Sequence, residues 1–576
     1  MNFIILFILL LSAAVFAKEQ ICSGVIIEGD EIELVDSEKL LVCGDPKSAA
    51  YKLIPPYQAS YFLTGFLQSR GYLRPSFQTI NGVLYVNTGK ESKLKVINVQ
   101  SEEIEKDAKL IKKEIERRYL RSTLTPSLVN SLESESVKLL KQKSYPCSEV
   151  KSIVDAKTNE VNLDFKKTKS FSFGVIDADP IPGLHESALD RYYPFEPHDP
   201  FNQSLLDLTE KRMLRAEVVQ VTYFLKNCSE DGEEFGLSQK FILGPPRTVR
   251  YGVGASTELG PMIRAKWSHN RSGSMASTIS ARVQASIRSQ SMTLMTDTFY
   301  WKHRPRRSVV SQLEILRESQ IDFEQLLIRL SPSSIKWTRD HGDHLWTWIL
   351  GPSLESGTYH SKENSNTKTF NTGVLEGSLE WMAHKYEFFD THPQNGDKFN
   401  FNFSFRHPTL GFSDPSLRLD SHYVKLNRLT EMGRGKLIGG VRLDAGTLWI
   451  SNDVGAKSLP PNVKFYGGGS DDIRGFLLNT LPRNDGLGAI TRLSLKLELR
   501  KTYLVKESIE GFTFVDSAYF GDESFSTRKE LFYSPGLGIR WFSPIGIVQS
   551  YIARALVLNP RDDDGNLYYL GLGGNF

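Results

Sequence analysis

Beyond residue 245, apolar and polar residues alternate with a period of two, as in a β-strand with two unlike faces. The clearest run alternates Phe399, Phe401, Phe403 and Phe405 with Asn400, Asn402, Ser404 and Arg406. The same alternation recurs in residues 437–445 and 493–500. These segments predict half-buried strands, either in a soluble sandwich or in a membrane barrel whose apolar face meets lipid.

The first 245 residues mix helical and hairpin patterns instead. The pattern repeats as three units of helices and short strands, and Asn81-Gly82 is a strong turn signal inside the first unit. The predicted helices and strands are 58–70, 76–80, 83–87, 104–119, 127–141, 150–155, 161–165, 171–176, 204–215 and 218–225. This repetition predicts small α/β modules in series, with one irregular α+β domain as the alternative.

The N-terminus predicts a cleaved export signal. Residues 3–11 are almost wholly apolar, and Val15-Phe16-Ala17 offers the small residues that a signal peptidase needs, so we expect cleavage after Ala17. The segment before the apolar run has no Lys or Arg, and a short buried or membrane-anchoring helix is the alternative. After residue 17 no apolar run approaches the roughly 18 residues of a spanning helix. A membrane crossing would therefore use strands.

Composition narrows the class of protein further. With 40% hydrophobic and 24% charged residues, the chain of 576 residues is neither disordered nor a helical membrane protein. The formal charge of +3 gives no reason to expect a nucleic-acid partner. All four cysteines lie in the first 230 residues, and an exported chain meets an oxidising compartment. Of three possible pairings we favour Cys22 with Cys43 and Cys147 with Cys228, and free buried thiols are the alternative.

The export signal, the length beyond residue 245 and the final strand favour the membrane barrel. The final strand places Tyr568, Leu570, Leu572, Gly574 and Phe576 on one face, and the chain ends on the aromatic residue. A terminal Phe on an alternating strand resembles the recognition signal of bacterial outer-membrane barrels. About 20 residues for each strand with its turn or loop predict 16 antiparallel transmembrane strands.

Several small modules followed by a barrel resemble the BamA and TamA superfamily of outer-membrane assembly and secretion proteins, whose modules are called POTRA domains. Ile473-Arg474-Gly475-Phe476 is similar to the family's [VI]-R-G-[FY] motif on the sixth extracellular loop. The partner motif, F-x-D-x-G on a wall strand, appears with Phe514 and Asp516 on one face and Ala518 in place of the glycine. By the same parity, Glu498 points into the lumen one strand earlier. The resemblance implies that Arg474 folds into the lumen against these carboxylates, because an unpaired guanidinium there would be costly.

Two further segments carry the resemblance. Residues 251–261, with Gly252 and Gly254, resemble the first barrel strand of TamA-like proteins, and residues 534–546 resemble the penultimate strands of the superfamily. Three modules match TamA better than BamA, which has five. The expected organisation is a signal peptide (1–17), three POTRA-like modules (18–92, 93–168 and 169–244) and an outer-membrane barrel (245–576).

The resemblance implies ATP-independent assembly or translocation of β-barrel and autotransporter-type proteins at the bacterial outer membrane, with the modules in the periplasm. The modules would hold unfolded outer-membrane proteins by edge pairing, and the barrel would open between its first and last strands. Gly573 and Gly574 would weaken that seam. The expected partners are these substrates and the lipid bilayer, with an inner-membrane-anchored, periplasm-spanning protein as a further candidate.

Two alternatives to assembly remain. A two-partner secretion transporter would pass its substrate through the lumen, but that group carries two modules and an N-terminal plug helix, neither of which is visible. A passive porin conflicts with an inward loop pinned by Arg474.

Other chemistry has little support. A phosphate-binding loop at the glycines 467–469 would need a following Lys-Ser/Thr, which is absent. A metal site at His341 and His344 would need further ligands, and a serine hydrolase would show a nucleophile elbow, which the sequence lacks. We therefore expect no metal, no cofactor and no enzymatic activity.

Overall fold

The structure, a computed structural model, describes residues 18–572 apart from residues 23, 29–31, 46, 48–53, 102, 229–232, 363, 390–391, 408–414, 433–434, 451–458, 485–486, 545 and 559–561. The predicted signal peptide and the last four residues, with Gly573, Gly574 and Phe576, lie outside the described residues. The chain divides into two compact units. The first comprises Met1–Val175, Pro197–Ser204 and Lys226–Gly236, and the second comprises Ile176–Glu196, Leu205–Leu225 and Leu237–Phe576.

The α-helices are short, and five of them precede the barrel. Those within the described residues are α1 (Asp36–Cys43), α2 (Pro56–Ser69), α3 (Glu105–Tyr119), α4 (Pro126–Lys141), α5 (Gln203–Arg215) and α6 (His384–Glu387). None of these helices has both the length and the apolar character that crossing a membrane requires.

Three small sheets accompany the first five helices. Their strands are β1 (Lys18–Cys22), β2 (Val25–Glu28), β3 (Ser76–Ile80), β4 (Val83–Asn87), β5 (Val96–Gln100), β6 (Glu149–Asp155), β7 (Glu160–Lys166), β8 (Ser172–Ala178), β9 (Val221–Asn227) and β10 (Glu234–Ile242). The sheet orders are β1-β2-β4-β3, β5-β7-β6 and β8-β10-β9. Small α/β elements consistent with POTRA-like modules therefore precede the barrel.

Local sequence explains how the second of these sheets is formed. Thr125 caps α4 by accepting a hydrogen bond from the Leu128 amide at 3.1 Å, and Pro126 occupies the first helical position. β5 and β7 run parallel, with α3 and α4 between them in sequence. The apolar faces of both helices pack on the sheet, since Ile111 and Leu132 are fully buried.

A polar cluster joins α3 to the loop that follows α4. Lys143 Nζ lies 2.9 Å from Asp107 Oδ1, and the Tyr145 hydroxyl donates to Asp107 Oδ2 at 2.9 Å. One carboxylate on α3 thus binds two donors beyond the end of α4.

The structure also corrects the sequence-based elements. The predicted strand 218–225 is wrong at its beginning, because Val218 and Val219 are buried against Met213 of α5 and the strand begins at Val221. The sequence pattern predicts neither the hairpin β1–β2 and helix α1 nor the strands β5 and β10. Cys22 is bonded to Cys43, and Cys147 is bonded to Cys228. The boundaries of the three modules stay a prediction.

The rest of the chain forms the predicted closed barrel of 16 antiparallel strands, in which consecutive strands are neighbours. The strands are β11 (Arg247–Ser256), β12 (Gly260–Ser272), β13 (Ser277–Ser286), β14 (Ser289–Thr298), β15 (Arg307–Ser319), β16 (Phe323–His341), β17 (His344–Ser361), β18 (Asn364–Ala383), β19 (Gly396–Arg406), β20 (Ser416–Met432), β21 (Gly435–Ile450), β22 (Thr491–Lys501), β23 (Ile509–Gly521), β24 (Leu531–Ser543), β25 (Gly546–Leu558) and β26 (Asp562–Leu572).

The two faces of the barrel wall have opposite character. On β22 the leucines from 493 to 499 are 38–43% exposed on the outer surface, whereas Lys496 and Arg500 are buried inside. An apolar outer face and a polar interior are what a transmembrane barrel requires.

A buried ion cluster fastens α5 to the barrel within the second unit. The Arg212 guanidinium donates to Asp340 at the end of β16 and to Glu387 of α6, with contacts of 2.8 Å to each carboxylate. His384 Nε2 lies 2.8 Å from Asp340 Oδ1. The side chains of Arg212, Asp340 and Glu387 are at most 7% exposed. Arg212 therefore bridges two buried carboxylates, and Arg306 at 3.4 Å from Asp340 and Arg215 at 3.7 Å from Glu387 supply further positive charge.

Candidate functional site

The segment between β21 and β22 folds into the barrel. We call its described part, residues 459–484 and 487–490, the inner loop. Ile473 and Phe476 are buried in an apolar cluster with residues of the barrel wall, and the Phe476 ring lies 5.7 Å from that of Phe532. Gly475 fits here because it has no side chain, since a Cβ would lie 2.3 Å from Ser534 Oγ. The loop thus fills part of the lumen with its own core.

Arg474 is held by carboxylates on two adjacent wall strands. Its Nε and Nη2 donate to the two oxygens of Asp516 at 2.8 Å each, and its backbone amide donates to the same carboxylate at 3.1 Å. Nη1 donates to Glu498. The guanidinium carbon lies 3.5 Å from the centroid of the Phe514 ring. The structure therefore brings together the four lumen residues that the motifs predicted.

Glu498 extends this contact into a wider network. Arg540 Nη1 donates to Glu498 and to Glu510 at 3.0 Å each, and His392 Nε2 lies 3.0 Å from Glu510. Alternating positive and negative groups satisfy one another inside a closed barrel, which lowers the cost of burying them.

A second charged residue of the inner loop was missed from the sequence. Asp472 contacts Lys496 Nζ at 2.9 Å and Arg492, and its carboxylate accepts from the Gly468 amide at 3.1 Å. The alternation of faces along β22 indicates this contact, because Arg492 and Lys496 share the lumen face with Glu498 and can bind an acidic residue of the loop. The tip of the loop therefore carries opposite charges two residues apart, each bound to the wall.

The first limb of the inner loop has a separate anchor that no motif indicated. Asn462 Nδ2 donates to Glu355 of β17 at 3.2 Å, and the backbone carbonyl of Asn462 accepts from Arg418 of β20 at 2.9 Å. Glu355 also binds Arg329 at 2.8 Å and Arg406 at 3.2 Å. The inner loop is thus fastened both to β17 and β20 and to β22 and β23.

A cavity of about 450 Å³ remains beside the inner loop. Its lining is mostly charged and polar and includes Arg264, Glu498 and Arg540. It reaches both strands that close the barrel, at Ser256 of β11 and Tyr569 of β26. This cavity is thus a polar space next to the closure of the barrel.

As far as β26 is described, to Leu572, the seam where β11 meets β26 has fewer paired residues than the neighbouring strand pairs. Within the described residues it has two register pairs, Ala255 with Leu572 and Ser256 with Gly571, whereas β11–β12 and β25–β26 have ten each. Two further bonds join Thr257 to Leu570: the Thr257 amide donates to the Leu570 carbonyl at 3.0 Å, and the Leu570 amide donates to Thr257 Oγ1 at 3.4 Å. Most of β11 therefore has no partner in the described part of β26.

The predicted seam residues occupy different positions. A Cβ at Gly254 would lie 2.6 Å from the Leu572 carbonyl oxygen, so the end of β26 approaches β11 where a side chain is missing. Gly252 instead pairs with Arg264 of β12. Tyr568 and Leu570 are exposed on the outer face, at 70% and 55%.

No metal centre is formed by the part of the chain that the structure describes, since it holds no group of three or more His, Cys, Asp or Glu suited to a metal ion. His341 and His344 pair across the turn between β16 and β17. His344 Nδ1 lies 2.7 Å from Asp343, and its ring stacks on Trp381 at 4.5 Å. These contacts give His344 a structural role at the turn.

Comparison with known proteins identifies relatives of the barrel. A family model described as "Omp85 superfamily domain" matches residues 250–576. The crystal structure of BamA from Haemophilus ducreyi lacking POTRA domains 1–3 is similar at 12% identity, covering 84% of this chain and 100% of that chain with a TM-score of 0.50.

Two further solved structures are similar at lower TM-scores. CdiB from Acinetobacter baumannii shares 12% identity over 84% of this chain and 90% of its own, with a TM-score of 0.47. CdiB from Escherichia coli shares 10% identity over 91% of this chain and 100% of its own, with a TM-score of 0.48. At these identities, the BamA likeness shows the fold alone.

Proposed function

This chain belongs to the Omp85 superfamily, and from that premise we propose that it inserts or translocates outer-membrane β-barrel and autotransporter-type proteins without ATP. A 16-stranded barrel of this superfamily indicates the bacterial outer membrane. In the proposal the N-terminal modules lie in the periplasm and receive unfolded substrates there. A closer kinship with TamA stays a prediction.

The short seam is the observation that carries the proposal. Within the described residues the seam has two register pairs against ten between β25 and β26, and each backbone hydrogen bond contributes about 0.5–1.5 kcal/mol net, so these two pairs cost far less to separate than ten. An opened seam exposes the edges of β11 and β26, and an exposed edge is a template for an incoming strand. A substrate strand that pairs there regains the bonds that opening has broken.

The inner loop favours passage of substrates through the barrel wall, at the seam, rather than through the lumen. Arg474 on one side and Asn462 on the other hold the loop across the barrel, and a polypeptide in the lumen would have to displace both anchors. Breaking a buried ion pair typically costs about 3–5 kcal/mol. The backbone bonds that close the seam involve neither anchor.

The edge strands of the module sheets support capture of substrates. β3 and β6 each form the edge of a sheet, and β6 carries exposed apolar residues, with Ile153 68% exposed. Extended segments of an unfolded barrel protein can add to such an edge through main-chain bonds while apolar side chains give further contact. The proposed path therefore runs from module edges to the seam.

Depletion of the protein, followed by quantitative measurement of the outer-membrane proteome, tests this function. We expect β-barrel and autotransporter-type proteins to decline while lipoproteins and periplasmic proteins keep their levels. Wild-type protein supplied from a plasmid should restore them. Loss of one secreted partner alone would favour a two-partner transporter, and a change in solute uptake alone would favour a porin; either outcome would contradict the proposal.

A further inference from the structure

The tip of the inner loop contacts the turn that follows the first barrel strand. Glu258 lies in this turn, between β11 and β12, and its carboxylate accepts from the Ser470 hydroxyl at 2.6 Å and from the Ser470 amide at 3.2 Å. The approach requires a glycine next to Ser470, because a Cβ at Gly469 would lie 2.2 Å from Glu258 Oε1. Gly469 also has a φ of +100°, which side chains rarely adopt.

The last barrel strand is packed against the same loop by aromatic rings. Tyr569 of β26 stacks on Tyr551 of β25 at 4.8 Å, and Tyr551 meets Phe514 edge-on at 5.6 Å. Phe514 in turn lies under the Arg474 guanidinium. Both strands of the seam are therefore linked to the inner loop, β11 through Glu258 and β26 through three rings.

The Glu258 contact lies directly beside the few bonds that close the seam. Thr257, its chain neighbour, donates from its amide to the Leu570 carbonyl of β26. A movement that separates the end of β11 from β26 would carry Glu258 away from Ser470 and break both hydrogen bonds. Withdrawal of the loop tip would likewise leave the Glu258 carboxylate without these two donors.

We propose that Glu258 is a positioning residue that ties the inner loop to the seam, so that release of the loop tip and opening of the seam are one coupled event. The inference rests on the proposed function, in which the seam opens, and specifies how that opening is regulated. Reciprocity is required of such coupling, since whatever loosens one site must loosen the other by the same factor.

Hydrogen exchange of the full chain in lipid nanodiscs, without substrate, tests the coupling. Glu258→Gln keeps the shape of the side chain and removes its charge, and Glu523→Gln is the matched control because that residue is exposed in the loop between β23 and β24. We expect Glu258→Gln to accelerate exchange about tenfold in residues 468–476 and, to a similar degree, in residues 249–257 and 566–572. The control should leave all three segments unchanged.

Faster exchange in the loop alone, or in neither place, would overturn the inference. Ser470→Ala removes the hydroxyl donor from the other side of the contact and should give the same joint pattern, so it decides the question if Glu258→Gln fails to fold in a heat-modifiability assay. The exchange experiment contains no substrate. Faster exchange in both the loop and the seam would therefore support the coupling even if depletion showed that the protein does not assemble barrels. Failure of this inference equally leaves the assembly result untouched.

Discussion

Arg474 and Asp516 form a two-point ion pair inside the barrel, with Nε–Oδ2 and Nη2–Oδ1 distances of 2.8 Å. The carboxylate has no exposed surface and the guanidinium side chain has 8%. A planar fork that matches a carboxylate fixes orientation as well as supplying energy. This pair therefore sets the position of the inner loop.

Arg474→Ala should lower the free energy of unfolding of the barrel by about 3–5 kcal/mol, because it leaves the buried Asp516 carboxylate unpaired. Chemical denaturation followed by tryptophan fluorescence measures this change. The double variant Arg474→Ala/Asp516→Asn should recover part of the loss, since it removes the stranded charge. Arg528→Ala is the control, because its pair with Asp522 is exposed and should be worth at most about 1 kcal/mol. Equal effects of the two arginine variants would contradict the role given to Arg474.

The anchor at Asn462 predicts a separate effect on conductance. Asn462→Ala removes the donor to Glu355 but leaves Arg329 and Arg406 in contact with that carboxylate. We expect a small rise in single-channel conductance in planar bilayers, and a larger rise than the sum of the single variants when Arg474→Ala is added, because each limb of the loop has then lost one of its contacts with the wall. Simple additivity would indicate that the two anchors act independently.

The cluster at Arg212 predicts that α5 detaches when its arginine is lost. Arg212→Ala leaves Asp340 and Glu387 buried without their shared partner, at a cost of about 3–5 kcal/mol. Hydrogen exchange in residues 203–215 should become faster. Adding Asp340→Asn and Glu387→Gln should slow it again, since the stranded charges are removed. Unchanged exchange in Arg212→Ala would show that packing alone holds the helix.

The polar cluster at Asp107 predicts loss of stability in acid. Burial opposes ionisation of Asp107, but the hydrogen bonds from Lys143 and Tyr145 outweigh it and lower the pKa of its carboxyl below the ordinary 3.8. Burial and Asp107 raise the pKa of Tyr145 to about 12, so the tyrosine remains a donor throughout.

A carboxyl whose pKa is lower in the folded state stabilises the fold in full above pH 3.8, and that contribution is lost as pH falls through the folded value. Exchange in residues 105–119, corrected for intrinsic rates, should therefore accelerate as the pH falls below 3.8. In Asp107→Asn this acceleration should be smaller. An identical response of variant and wild type would remove Asp107 from the explanation.

Strand parity accounts for most of what the sequence predicts about the lumen. Once a strand alternates, each residue's face is known, which is why the sequence alone assigns Phe514, Asp516 and Glu498 to the lumen. Parity gives no information on pairs brought together by a loop. Asn462 lies 107 residues from Glu355, and Ser470 lies 212 from Glu258, so neither contact has a local signal.

The connection before β9 shows a different limit of what the sequence predicts. Val218 and Val219 extend the apolar pattern of the following strand, and the period of two cannot distinguish a strand from a buried connection that packs on a helix. Tertiary burial and strand formation select the same side chains here, so the pattern extends the predicted strand over Val218 and Val219, which precede β9.

A reversible crosslink across the seam tests the central claim most directly. Ser256 and Gly571 are register partners that both face the lumen cavity, and the bond from Thr257 to Leu570 makes theirs a non-hydrogen-bonded pair. Such pairs have a Cα separation of about 4.5 Å, within the range of a disulfide. A Cβ at 571 would lie 2.5 Å from the Tyr569 hydroxyl and 2.9 Å from two of its ring carbons, so the crosslink requires that side chain to shift.

The measurement is the rate at which proteoliposomes containing Ser256→Cys/Gly571→Cys insert a urea-denatured barrel protein, before and after reduction. Wild-type protein with the same reductant controls for the native disulfides Cys22–Cys43 and Cys147–Cys228. We predict that the oxidised variant is folded but inactive and that reduction restores wild-type insertion. Equal rates from the oxidised variant, with the crosslink shown to be complete, would contradict passage of substrates through this seam.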